Sequence, residues 1–107
     1  MSAIYIYTIT TFEKFHDKYN YPSNSRCIGY YDNFEDADRA VRNNFGDICE
    51  LLYNYVVIEK VKSGLYPACL ERQFYKIHVE NEDYSNITYK PIEEPECVKH
   101  IVNFAIG

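Results

Sequence analysis

The feature that most constrains this chain is a short β-branched run, Tyr55-Val56-Val57-Ile58, preceded by a punctuated helix. A strand apolar on both faces must be covered on both sides, which excludes an exposed edge position. Upstream, Cys27-Ile-Gly-Tyr-Tyr31 reads as another strand, and residues 33–46 read as a capped helix. Asp32 or Asn33 offers an N-cap, with Glu35 three residues after Asp32 completing a capping box. Phe34, Ala37, Ala40, Val41 and Phe45 fall on one helical stripe, while Glu35, Asp36, Asp38, Arg39 and Arg42 occupy the remainder. Gly46 is the expected left-handed terminator, and Asp47 to Leu52 reads as a short helical turn. The helix is therefore expected to lie across one face of a central strand.

The rest of the chain supplies further strands. Ala3 to Thr11 is β-branched and aromatic, with Ile4 and Ile6 facing one way and Tyr5, Tyr7 and Ile9 the other, which suits a second central position. Phe12 to Arg26 follows no period, and Pro22 makes Asn20 to Ser25 turn-like. Gln73 to Glu80 alternates and Ile87 to Lys90 returns, the pattern of a hairpin, while Leu65 to Pro67 leads into an irregular link. Ile101 to Ile106 closes as a strand or a docked tail. The expectation is one α+β domain over residues 1–107, a predominantly antiparallel sheet of about 4–6 strands with one principal helix on one face.

Composition narrows function more than it names it. A formal net charge of -5 argues against broad nucleic-acid binding, which needs a basic face. No apolar run approaches the ~20 residues that cross a bilayer. The N-terminal residues carry no signal-peptide pattern, so a cytoplasmic location with free thiols is expected for Cys27, Cys49, Cys69 and Cys97. Cys27 and Cys49 sit among core-forming residues and are read as small hydrophobes. Asn86-Ile-Thr88 matches a glycosylation sequon that carries no meaning without secretion.

Catalytic and metal chemistry find little support. Cys69 and His78 are the nearest approach to a nucleophile and base, without a motif around either. Glu13 with His16 and Asp17 is the one locally suggestive metal grouping, and the glycines form no phosphate loop; no metal and no cofactor are expected. The acidic run Glu93, Glu94 and Glu96 could dock on a basic partner, but reads first as a solvated turn. The richest stretch is the loop around Tyr19, Tyr21, Ser23, Asn24, Ser25 and Arg26; from it Tyr19, Tyr21, Ser23, Asn24 and Arg26, together with Tyr31, form the candidate ligand- or partner-binding set. Aromatic planes stack on bases, Arg grips phosphate, and Tyr, Ser and Asn also dominate protein paratopes. An ordinary polar loop with locally packed tyrosines fits the same residues.

Four segments are similar to a group of short uncharacterised proteins scattered through gut-bacterial genomes and prophages. They are Ile4-Tyr-Ile-Tyr-Thr-Ile-Thr10, Gly29-Tyr-Tyr31, Val57-Ile-Glu-Lys-Val61 with Gly64-Leu-Tyr-Pro67, and Ile101-Val-Asn-Phe-Ala-Ile-Gly107. The resemblance transfers no functional residue. It implies a small accessory protein of a phage or other mobile element, a class whose members often inhibit host defence. Three readings follow. The first is a non-enzymatic binder of a defence protein, acting as anti-CRISPR proteins do. The second is a sponge for a cyclic nucleotide or cyclic ADP-ribose-type signal, with a small enzyme lacking any recognisable motif as a further alternative. The third is a structural subunit whose sheet edge pairs with another copy.

Overall fold

The computed structural model describes residues 4–16, 21–23, 25–45, 53–63, 68–79, 87–94 and 104. Its main sheet has five strands, all neighbours antiparallel: β1 (Tyr5–Phe12), β4 (Arg26–Tyr31), β5 (Tyr55–Lys62), β6 (Cys69–Val79) and β7 (Ile87–Ile92). The spatial order is β4-β1-β5-β6-β7, so β1 and β5 hold the inner positions that their two-sided apolar character requires. A separate two-stranded sheet, β2 (Lys14–His16) with β3 (Tyr21–Ser23), pairs antiparallel between β1 and β4 in the chain. Pro22 thus lies in a strand rather than in the turn its residue type suggests, and a two-stranded ribbon is where a missing N–H is tolerated.

The helix α1 (Phe34–Arg42) is set by its cap. Asn33 Oδ1 accepts the Asp36 amide at 2.8 Å, and Asn33 Nδ2 donates to Asp36 Oδ2 at 2.9 Å. This reciprocal pair replaces the box expected between Asp32 and Glu35 and satisfies an amide that the first turn would leave orphaned. Acidic Glu35 and Asp36 in the first turn, and Arg39 and Arg42 in the last, oppose the helix dipole favourably. The exit differs from expectation. Asn44, with φ 51°, takes the left-handed conformation two residues before Gly46, which lies outside the described residues, as does the turn at Asp47 to Leu52. Asparagine is the commonest non-glycine in that region, and the Tyr89 hydroxyl donates to its Oδ1, holding it there. Ending early turns Phe45 outward, 52% exposed, instead of continuing the buried stripe of Ala37, Ala40 and Val41.

Two cores result, one per face. Under the helix, Ile9, Val56, Ile58, Tyr75, Ile77 and Tyr89 pack with the small residues of α1. Tyr75 donates from its hydroxyl to Asp38 Oδ1 on the helix, fixing the helix over the sheet with a polar tip on an apolar body. On the opposite face Phe12, Val57, Phe74 and Phe104 form an aromatic cluster. Phe12 stacks on Tyr55 and Phe104 with centroids 5.3 and 5.5 Å apart, and meets Phe74 edge-on. Buried within this second face is Glu59, 0% exposed. Its carboxylate accepts the Phe104 amide at 2.9 and 3.0 Å and the Arg72 Nε at 2.9 Å. Arg72 then reaches Glu94 Oε1 at 2.9 Å, so Glu94 is a structural partner and not part of a solvated turn.

Candidate binding surface

Antiparallel pairing decides which side chains meet at each end of the sheet. The register Tyr31↔Tyr7, Tyr7↔Lys60 and Lys60↔Glu71 runs one continuous row across β4, β1, β5 and β6. All four share the helix side, because directly opposed residues point to the same face. The next row outward brings Tyr5 opposite Lys62. Phe34, the first helical residue, comes down on this end and meets Tyr7 edge-on at 6.2 Å. A cleft of about 220 Å³ opens here, lined by Tyr7, Phe34, Ile58, Lys60, Glu71, Arg72 and Gln73. Lys60 Nζ lies 4.8 Å above the Tyr5 ring, a cation held against an aromatic face.

The same end carries most of the large apolar side chains that reach solvent. Ile4 is 67% exposed and Tyr5 38% at the start of β1, Tyr30 63% near the end of β4, and Leu70 56% at the bulge of β6. Tyr30, opposite Thr8, lies on the other face from Tyr5, Lys60 and Lys62, so this end exposes apolar side chains on both faces of the sheet, with the two lysines on the helix side of a chain whose net charge is -5.

Of the residues singled out from sequence, Arg26 is exposed at the start of β4, and half-buried Tyr31 packs on the helix-side core beside Tyr7. Tyr21 and Ser23 lie in β3, paired through the backbone with His16 and Lys14. Tyr19 and Asn24 lie outside the described residues, as does Asp17 of the metal grouping. Sequence reasoning missed Tyr5, Tyr7, Phe34 and Lys60 as a group, since they come from three elements united only by register. Cys27, expected in the core, is exposed on the outer strand β4, where a side chain has a sheet neighbour on one flank only.

The reactive groups are separated or occupied. Cys69 and His78 stand at opposite ends of β6. At ~3.3 Å per residue they are about 30 Å apart and form no dyad. Burial and the nearby Glu59 charge push the Cys69 thiol up to about 11, against an opposing pull from Arg72. Its Sγ donates to the Glu71 carbonyl oxygen at 3.0 Å. Arg72 is pulled down by burial but held above its ordinary value by its bonds to Glu94 and Glu59. Among the described residues no group of His, Cys, Asp and Glu could hold a metal, and no helix is long and apolar enough to cross a membrane.

Two expected results follow from the thiol and phenol. In a background with Cys49 and Cys97 replaced by serine, iodoacetamide at pH 8 should modify exposed Cys27 readily. Cys69, two pH units above its ordinary 9.0, has about a hundredfold less thiolate and should lag accordingly. Equal rates would contradict this environment. Alkali should also destabilise the fold. Burial and the Asp38 bond raise the Tyr75 phenol above its ordinary 10.0, as burial raises Cys69. Both groups keep protons in the native state that the unfolded chain releases from pH 9 to 10 upward. Their stabilisation is complete below that window and falls as pH rises through it, which thermal melts between pH 8 and 11 would read.

The chain matches no family model, no curated protein and no solved structure. What the geometry defines is a class, a small α+β domain with an aromatic, lysine-bearing end to its sheet.

Proposed function

We propose that this chain is a non-enzymatic binding protein of a phage or other mobile element, acting in the host cytoplasm to inhibit a bacterial immune system by occupying the surface of a defence protein. The observation that carries binding is exposed Tyr5 beside Lys60 and Lys62 on the helix side of one sheet end, with Ile4, Tyr30 and Leu70 also exposed around that end. Tyrosine is enriched among interface anchors, and exposed apolar side chains gathered at one end mark an interaction site where scattered ones would not. The choice of a defence protein as partner rests on the resemblance to prophage-borne accessory proteins.

The test combines infection and retention. Expression of the chain in a bacterium with an active CRISPR system should restore plating of a targeted phage, and the immobilised chain should retain the purified effector complex. Tyr5→Ala combined with Leu70→Ala should weaken retention at least tenfold, the usual cost of losing two anchors of about 1 kcal/mol or more each. Unchanged plating together with no retention of effector would remove this reading.

The cleft supports a second reading, a sponge for a nucleotide signal, because Tyr7 and Phe34 supply aromatic walls and Lys60 a cation. Its size limits that reading: about 220 Å³ is below the ~300–1,000 Å³ that encloses a drug-sized ligand. It suits one base and leaves a second nucleotide outside, and Glu71 on the rim opposes phosphate. Incubation with cyclic nucleotides and cyclic ADP-ribose isomers, then mass spectrometry of heat-released ligand, separates the two readings.

A further inference from the structure

The cleft at the end of the sheet carries an ordered set of donors and acceptors. Lys60 on β5 and Glu71 on β6 are directly opposed in the register, so their side chains leave the same face of the sheet. Among the described residues no ion pair joins them. Lys60 lies instead over the Tyr5 ring, which takes one side of the ammonium and leaves its other N–H groups to donate. Glu71 is exposed, and an ionised carboxylate only accepts. In the next row inward on this face stands Gln73, opposite Ile58. Its Nε2 donates to the carbonyl oxygens of Phe74 at 3.0 Å and Ile92 at 3.4 Å, so what Gln73 still offers is the acceptor Oε1. Tyr7 and Phe34 meet at an interplanar angle of 66°, so a flat ring laid on one meets the edge of the other.

The polar side chains of the cleft therefore supply one donor, Lys60, and two acceptors, Glu71 and Gln73. Bases held between apolar walls are told apart by their Watson–Crick edges. Guanine presents an acceptor at O6 and then donors at N1–H and the N2 amino group, the complement of donor, acceptor, acceptor. Adenine turns an N1 lone pair toward the carboxylate. Cytosine calls for one acceptor and two donors, and uracil for a donor on either side of an acceptor. We propose that this cleft binds a guanine base, with Lys60 donating to O6, Glu71 accepting from N1–H and Gln73 from the N2 amino group, while Tyr7 and Phe34 cover the ring. The inference rests on the nucleotide reading of the cleft and narrows it to one base; it is independent of the defence-protein reading. The ribose and any phosphate remain outside the cleft.

An open cleft that holds one base binds modestly, with Kd for guanosine on the order of 100 μM. Isothermal titration of the full chain with guanosine, inosine, adenosine and guanosine monophosphate tests the assignment. Inosine, which lacks the N2 amino group, and adenosine should each bind about tenfold more weakly than guanosine, or worse. Guanosine monophosphate should bind no tighter than guanosine, because Lys60 is spent on O6. Glu71→Gln should lose about tenfold for guanosine and bring adenosine to within about threefold of it, since an amide both accepts from an amino group and donates to a ring nitrogen. Circular dichroism confirms the fold of this variant. No binding of any nucleoside up to about 1 mM would remove the nucleotide reading and this inference together. Equal affinity for guanosine and adenosine would leave the nucleotide reading standing and overturn the choice of guanine. A tenfold gain from the phosphate would put Lys60 on that group, and unchanged selectivity in Glu71→Gln would take Glu71 off the base; either result overturns the assignment.

Discussion

Replacing Glu59 by alanine should lower the unfolding free energy by about 3–5 kcal/mol, because it breaks a buried ion pair from one side. Glu59 is 0% exposed and Arg72 has a side chain 9% exposed, so neither charge can turn to water. The carboxylate also accepts the Phe104 amide through both oxygens, and its loss strands that buried donor at a cost of about 1–3 kcal/mol within the same total. Arg72 keeps Glu94, which holds the effect toward the lower end of the range. Glu59→Gln retains an acceptor for the amide and should cost less. Methionine at both 59 and 72 should recover part of the loss, since removing both charges also removes the need to desolvate them, while the Phe104 amide stays without this acceptor. Urea titration with an unchanged m-value reads all three; a loss below about 1 kcal/mol for Glu59→Ala would contradict the buried network.

Phe12→Ala should be of similar size, about 3–5 kcal/mol, or at least 12 °C in melting temperature for a domain of about this length. Phe12 is 0% exposed and touches three rings from three directions, stacked on Tyr55 and Phe104 and edge-on to Phe74. No neighbour can fill the space without abandoning its own contacts. Phe12→Leu keeps most of the volume and should cost roughly 1–2 kcal/mol. Because Phe104 stacks on Phe12, Phe104→Ala and Phe12→Ala should be non-additive, and a double-mutant cycle that found them additive would mean that the two rings are not in contact.

Much of the architecture was legible because its signals are local. β1 and β5 carry apolar residues on both faces, and both took inner positions; the alternation of Tyr75 and Ile77 predicted the face that β6 lays under the helix. The failures lie where a distant partner overrides a local preference. Glu59 sits in an apolar strand and reads as a charge to be kept at the surface, yet Arg72 and the Phe104 amide make its burial tolerable. The helix ends at Arg42, and Asn44 just beyond it is held in the left-handed conformation by a tyrosine across the domain, which no cap pattern reveals. Cys27 follows β4 to the outside, and strand order cannot be read from the strand itself. The candidate surface at the end of the sheet was largely illegible. Among the described residues chosen for recognition, Tyr31 alone stands in its register row, because Tyr7, Lys60 and Phe34 become neighbours through packing between segments far apart in the chain.

The position of β1 between β4 and β5 also sets a schedule for the ribosome. Tyr5 pairs with Lys62, so β1 must wait until β5 has been synthesised before its inner flank is covered. Until then the nascent segment has β4 and the helix as its only neighbours from this sheet, with one long apolar border uncovered. A topology dominated by such distant pairings folds in milliseconds to seconds rather than microseconds, and that interval is when chaperones would have most reason to hold the chain.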